Sequence, residues 1–185
     1  LTSLVKNKTC DAIILHDIHN REIIKVAITC GLPVVACWRE QNQKINTVSL
    51  DEYFGGKMIA EHLLSNNLNK PSHITAMLKT HPACIERFKG FKSVFTNTSI
   101  KVIDGKFGIQ GGYASAKKLI PHIKNKKIDS IFVVNDMTAI GVIQALSEAS
   151  VSIPNDVSVV SYGNNPIIDT LPFKLTTVDE QMGEI

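Results

Sequence analysis

The chain has 185 residues, 44% of them hydrophobic and 20% charged, and a formal net charge of +3. This composition fits a globular protein long enough for one domain or two small lobes, each with its own core. The charge is too weak, and the lysines too scattered, for the basic stripe of a chain that grips nucleic acid by itself, and no apolar run approaches a membrane span. The sequence begins Leu-Thr rather than Met, so a fragment or processed product is expected, and the lack of a visible secretory signal proves little.

Short apolar runs then alternate with helical patterns from end to end. "DAIIL" (11–15) reads as a strand, and a stripe of Ile24, Ala27 and Ile28 predicts a helix that stops at Gly31. "PVVAC" (33–37) and "NTVSL" (46–50) are the next strands. Asp51 is a candidate N-cap for a helix with Phe54, Met58 and Leu63 on one face, and "HITAML" (73–78) closes this first half. In the second half Cys84, Phe88, Phe91 and Phe95 recur at i, i+4, i+7 and i+11, an apolar helix face. "IKVID" (100–104) is a strand, and Tyr113, Ala116, Ile120 and Ile123 stripe the following helix. "SIFVVN" (130–135) has the nearly continuous apolar run of a strand covered on both faces. Asp136 is a candidate cap for the helix of Ile140, Ile143 and Leu146. The β-branched run Val157 to Val160 ends on Tyr162, and "KLTTV" (174–178) is the last strand. Such alternation implies an α/β protein with parallel sheets and right-handed crossovers. Two such halves without a long linker predict two lobes with a ligand cleft.

The four cysteines, Cys10, Cys30, Cys37 and Cys84, form no CxxC pair. They read as free thiols packed as small hydrophobes in a reducing compartment, with disulfides or a metal as alternatives. "GKFGIQGG" (105–112) lies where phosphate loops occur but matches neither GxGxxG nor GxxxxGK[ST], so its glycines are assigned to turn geometry and close approach. "HDIH" places His16 and His19 three apart without a marked third ligand, and no metal site is expected. His62, His73 and His122 read as ordinary surface or helix-end residues. The serines lack a nucleophile elbow or a marked base, and nothing pairs carboxylates for hydrolysis, so neither an enzyme nor a cofactor is expected.

What remains is a set of polar and aromatic residues at predicted strand ends: His16, Trp38, Arg39, Arg87, Phe107, Asn135, Gly163 and Asn164. Singly, Trp38 reads as packing, Arg87 as a surface charge and Asn135 as a helix cap. Together the sheet topology places them at one rim, where guanidinium, carboxamide and aromatic faces suit a polyhydroxylated or planar heterocyclic small molecule.

These residues carry a resemblance. "FVVNDMTAIGVIQALSEASVSIPNDVSVVSYGNNPIIDTLPFKLTTV" resembles, in order and spacing, the ND-x-x-A-x-G, IP-x-D-x-S-VVG-[FY]-D-[DN] and P-x-LTT[IV] motifs of the effector-binding domain of LacI-type transcription regulators. "GLPVVACWRE", "VSLDEYFGGKMIAEHLLSNN", "ERFKGFKSVF" and "GKFGIQGGYASAKKLI" support it, and the resemblance covers nearly the whole chain. It implies the periplasmic-binding-protein type I fold, with two doubly wound parallel-sheet lobes around a ligand cleft. Residues 1–79 would be a partial N-terminal lobe, 80–178 the C-terminal lobe, and 179–185 the start of a segment returning to the first. It also implies a cytoplasmic homodimer that responds allosterically to a small effector and binds operator DNA only through a helix-turn-helix head with no counterpart here. The competing reading is a periplasmic solute-binding protein of a sugar transporter.

Carried over by position, Arg87 matches the arginine that contacts ligand hydroxyls or carboxylates, Asn135 the cleft residue opening the ND motif, and Phe107 the aromatic that stacks on ligand. His16 falls where many members place a polar contact. Trp38 and Arg39 replace the usual Asp-Arg after "PVV", and Gly163-Asn164 replaces Asp-Asp after Tyr162. Two cleft carboxylates are thus missing. Arg39 and Arg87 are then expected to lie unneutralised from these positions, favouring an anionic effector such as a sugar phosphate or another small acid over a plain sugar.

Overall fold

A computed structural model describes residues 3, 7, 9–16, 21–37, 45–181 and 183. They form two compact units, one running up to Leu50 and the other starting at Asp51.

The first unit is a parallel sheet in the order β1-β2-β3, from strands Ile13–His16, Val34–Cys37 and Asn46–Val48. Helix α1 (Arg21–Thr29) lays Ile23, Ile24, Ala27 and Ile28 against Ile13, Leu15, Val34 and Ala36. Strand β1 alternates strictly, with Ile13 and Leu15 buried and Ile14 and His16 exposed. That is the period-2 signature of a strand with one face packed.

The second unit carries a five-stranded parallel sheet in the order β5-β4-β6-β7-β8. Its strands are Pro71–Ala76 (β4), Lys101–Gly105 (β5), Ser130–Val133 (β6), Ser158–Gly163 (β7) and Thr176–Asp179 (β8). Its helices are Glu52–Ser65 (α2), Pro82–Val94 (α3), Gly108–Lys124 (α4) and Asp136–Glu148 (α5), with a 3-10 turn at Pro166–Thr170. Adjacent residues of one strand serve opposite faces. Ile131 and Val133 join Leu119 of α4 and Val142 and Leu146 of α5 in one core. Phe132, between them, packs with Ile59 and Leu63 of α2, Phe91 of α3, Val160 and Tyr162 in the other. A sheet sandwiched in this way is doubly wound, and β4 is buried at all six positions because it is covered on both faces. Among the described residues no helix is long and apolar enough to cross a membrane.

Four expectations need correction here. The boundary expected at 79/80 falls at 50/51, because β4 pairs with β5 and β6 and α2 packs on α3 within the second unit. The face expected for α2 is also wrong: Phe54 and Met58 are exposed, whereas Gly55, Gly56, Ile59, Ala60 and Leu63 are buried. The glycines are buried because they let backbones touch. A Cβ on Gly56 would lie 2.0 Å from the Arg87 carbonyl oxygen, and one on Gly90 1.9 Å from that of Tyr53. The cap of α5 is Asn135, whose Oδ1 accepts the Thr138 N–H at 3.0 Å, while Asp136 is buried in the first turn. Finally, His73 is no surface residue. It sits in β4 with no exposure, its ring 4.4 Å from that of Phe132 and 5.4 Å from that of Phe88.

Candidate functional site

The chain leaves β4 towards β5 on one side, then crosses back to β6 on the other. This reversal makes a topological switch point at the carboxyl ends of β4 and β6, where open α/β sheets bind ligands. Met77 follows β4, Phe107 precedes α4, and Asn135 and Asp136 follow β6. Arg87 reaches the same end from α3, since its Nη1 donates to the Val134 carbonyl at 2.9 Å.

Arg87 is the centre of this rim, and it is not an unneutralised cation. Its Nε and Nη2 form a fork with the two carboxylate oxygens of Glu52, at 2.5 and 3.0 Å. Nη2 also donates to Glu180 at 2.8 Å. The guanidinium lies 3.6 Å from the centre of the Tyr162 ring, and Gly55 gives that ring its space, since a Cβ there would meet the Tyr162 hydroxyl at 2.5 Å. Guanidinium has five N–H groups, so four bonds leave one, on Nη1, without a partner among the described residues. Arg87 therefore ties α2, α3 and the ends of β6, β7 and β8 together. Burial works against its charge, but the hydrogen bond and charge of Glu52 outweigh this and hold its pKa above the ordinary value. Burial likewise raises the Tyr162 phenol, with Glu52 adding to the effect. It also raises the Glu180 carboxyl, against the opposing pull of Arg87. Glu52 and Glu180 were missed in the sequence because only the fold brings positions 52, 87 and 180 together. The signal available was Glu52 directly after a capping aspartate.

A second polar knot lies beside it. The buried Asp136 carboxylate accepts from the Ser161 hydroxyl, from Thr177 Oγ1 at 2.9 Å and from the Asn165 N–H at 2.7 Å. It thereby locks the turn after β7. Within that turn Gly163 has φ of +129°, a region closed to most L-residues, and a Cβ there would lie 3.0 Å from Asp136 Oδ2. So the residue that stands in place of a carboxylate is required as glycine by its own backbone. Gly163→Asp is expected to destabilise the chain by about 1–3 kcal/mol through backbone strain, aggravated by a second carboxylate facing Asp136. Urea denaturation reads this loss, and an unchanged midpoint would refute the conformational requirement. Asn164 is exposed at φ +54°, and its Nδ2 donates to Asp179 at 3.1 Å.

Phe107, at the N-cap of α4, is 40% exposed and meets the His81 ring edge-on at 5.7 Å. Asn135 spends Oδ1 on its cap and keeps Nδ2 as a donor at the rim. The second unit thus brings together Arg87, Phe107, Asn135, Gly163 and Asn164. His16 ends β1 in the first unit, in register with Cys37. Trp38 and Arg39, like His19, lie outside the described residues. Among the described residues no three His, Cys, Asp or Glu side chains gather as metal ligands, and the four cysteines are free thiols. A depression of about 490 Å³ opens at the other end of the sheet beside Lys70, Lys124, Asp129 and Asp156. Its two aspartates are already committed to backbone N–H groups.

Comparison with known proteins bears on this arrangement. Residues 60–185 match the family described as "Periplasmic binding protein-like domain". A sucrose operon repressor from Streptococcus mutans is 28% identical over 153 residues, covering 83% of this chain and 47% of the repressor. A LacI family regulator from Enterococcus faecium, solved with bound ribose, superposes with a TM-score of 0.86 at 24% identity, over all of this chain and 70% of that one. A periplasmic binding protein/LacI transcriptional regulator from Alkaliphilus metalliredigens, complexed with D-xylulofuranose, gives 0.81 at 28% identity, over 97% and 66%. The fold is that of an α/β protein with parallel, doubly wound sheet packing. The chain belongs to the periplasmic binding protein-like domain family. It spans about half the length of the curated relatives it matches.

Proposed function

We propose that this chain senses the effector of a LacI-type transcription regulator, and that the effector is a neutral pentose-like molecule rather than an acid. The observation that carries the neutral reading is the Arg87 cluster. One guanidinium already faces two carboxylates, so Arg87 itself has no spare positive charge to offer an anion. An added phosphate would meet Glu52 and Glu180 as like charges, which costs affinity. The ribose and D-xylulofuranose held by two structural relatives support the size and class. The anionic effector expected from the missing carboxylates is set aside on this ground.

In the whole regulator a helix-turn-helix head outside this chain contacts operator DNA, and two copies pair so that the heads read a palindrome. Effector and operator affinities are coupled reciprocally, by about 1–3 kcal/mol in such systems. The protein is cytoplasmic and performs no catalysis. Its relatives are repressors.

Isothermal titration with D-ribose and with D-ribose 5-phosphate tests the charge argument. The neutral sugar is expected to bind at least about tenfold more tightly. Tighter binding of the phosphate would overturn the neutral reading and restore Arg87 as an anion site.

A further inference from the structure

We propose a second small-molecule site at the opposite end of the second unit's sheet, in the depression of about 490 Å³, and that it takes a phosphate-bearing metabolite of about nucleotide size. It shares no residue with the Arg87 rim, and the length of β4, about 20 Å, separates the two. Its volume lies in the usual range of small-molecule pockets, about 300–1,000 Å³. Loops that lead into three strands build it: Lys70 precedes β4, Ile128 and Asp129 precede β6, and Ser150, Val151, Asn155 and Asp156 precede β7. Ile123, Ile128 and Val151 are buried and form an apolar floor. Lys70, Lys124 and Lys126 are exposed around it. The Lys70 ammonium is pinned across two of the loops, donating to the Lys126 carbonyl at 3.1 Å, which leaves it two N–H groups.

The bland alternative is a solvated face whose lysines complement the carboxyl ends of α4 and α5. The hydrogen bonds argue against it. Backbone N–H groups already close both helix ends: those of Lys126 and Lys127 donate to the Ile123 and His122 carbonyls, and those of Ser150 and Val151 to the Ser147 and Leu146 carbonyls. Nor do the lysines serve the two aspartates. Asp129 accepts the Asn69 and Lys70 N–H groups and the Ser130 hydroxyl, and Asp156 accepts the Ser152 N–H. None of Lys70, Lys124 and Lys126 forms an ion pair among the described residues. Three cations thus surround two carboxylates that are held by the backbone, and the balance favours an anion. Lysine ammoniums bind phosphate as point charges. Ser150 and Asn155 add a hydroxyl and a carboxamide for sugar hydroxyls, and the apolar floor suits the less polar remainder of the molecule.

The test is isothermal titration of the 185-residue chain with AMP, adenosine and D-ribose 5-phosphate at fixed, low ionic strength. It is repeated with Lys124→Gln/Lys126→Gln and with Lys92→Gln/Lys174→Gln, a control of equal charge loss away from the depression, after circular dichroism confirms folding. AMP is expected to bind at least about tenfold more tightly than adenosine. Lys124→Gln/Lys126→Gln should remove at least about tenfold of the AMP affinity, while the control pair keeps it within about twofold. No binding of AMP, equal binding of AMP and adenosine, or equal losses in the two variant pairs would overturn the proposal. Ribose 5-phosphate separates the two sites, because binding that survives Lys124→Gln/Lys126→Gln is assigned to the Arg87 rim. The neutral-effector reading and this one therefore fail independently.

Discussion

Replacing Arg87 by methionine is expected to destabilise the chain by about 3–5 kcal/mol, the usual cost of removing one partner from a buried ion cluster. The Arg87, Glu52 and Glu180 side chains are only 10%, 17% and 21% exposed, so water cannot replace the guanidinium. Two carboxylates would be left facing one another, and the Val134 carbonyl and the Tyr162 face would lose their partner. Glu180→Gln should cost much less, because the Glu52 fork remains. Adding Glu52→Gln and Glu180→Gln to Arg87→Met should recover part of the loss, since the uncompensated charge is then gone. Arg87→Lys should not rescue, because one ammonium cannot reproduce the fork. Urea or thermal denaturation of the series gives the answer. Loss of under about 1 kcal/mol in Arg87→Met would mean that this residue behaves as a surface cation, and the charge argument against an anionic effector would fall with it.

The second large effect is acid lability centred on His73. Its Nδ1–H donates to the Phe132 carbonyl at 3.0 Å, Nε2 has no partner, and the ring is packed among Phe88, Phe91 and Phe132. Burial lowers its pKa to about 4 from 6.5, partly opposed by the Phe132 hydrogen bond and reinforced by the Arg87 charge. Between these values only the unfolded chain takes up the proton. Stability is therefore unaffected by this group above pH 6.5 and falls as pH drops towards about 4. The full loss is about 3 kcal/mol. Denaturant midpoints measured every half unit across that window should show the slope, and His73→Phe should flatten it relative to the parent whatever its own stability. Identical slopes in the two proteins would assign the acid sensitivity elsewhere.

Much of the strand and helix order was legible because it depends on local pattern. The apolar runs at 11–15, 33–37 and 130–135, the i, i+4, i+7 stripe of Cys84, Phe88 and Phe91, and the motif series from Phe132 to Val178 each lie within a few residues of one another. The same locality explains where reading failed. For α2, hydrophobicity pointed to Phe54 and Met58, yet the buried face runs through Gly55 and Gly56, because helix-to-helix contact rewards the absence of a side chain. His73 reads as polar in one dimension and is buried in three, since a central strand has no solvent face.

For the candidate site, Arg87, Phe107 and Asn135 were singled out from sequence and stand at one sheet end. Their electrostatic setting was not legible, because Glu52 and Glu180 lie 35 and 93 residues from Arg87 along the chain. By itself the sequence determined the α/β class, the parallel alternation and the family, which reside in short-range periodicity and ordered motifs. Only the tertiary structure decided where the units divide, that the missing carboxylate at Gly163 is a backbone requirement, and that the rim arginine is already neutralised. Those depend on which distant residues meet, and Coulomb and steric forces act over ångströms of space rather than steps of sequence.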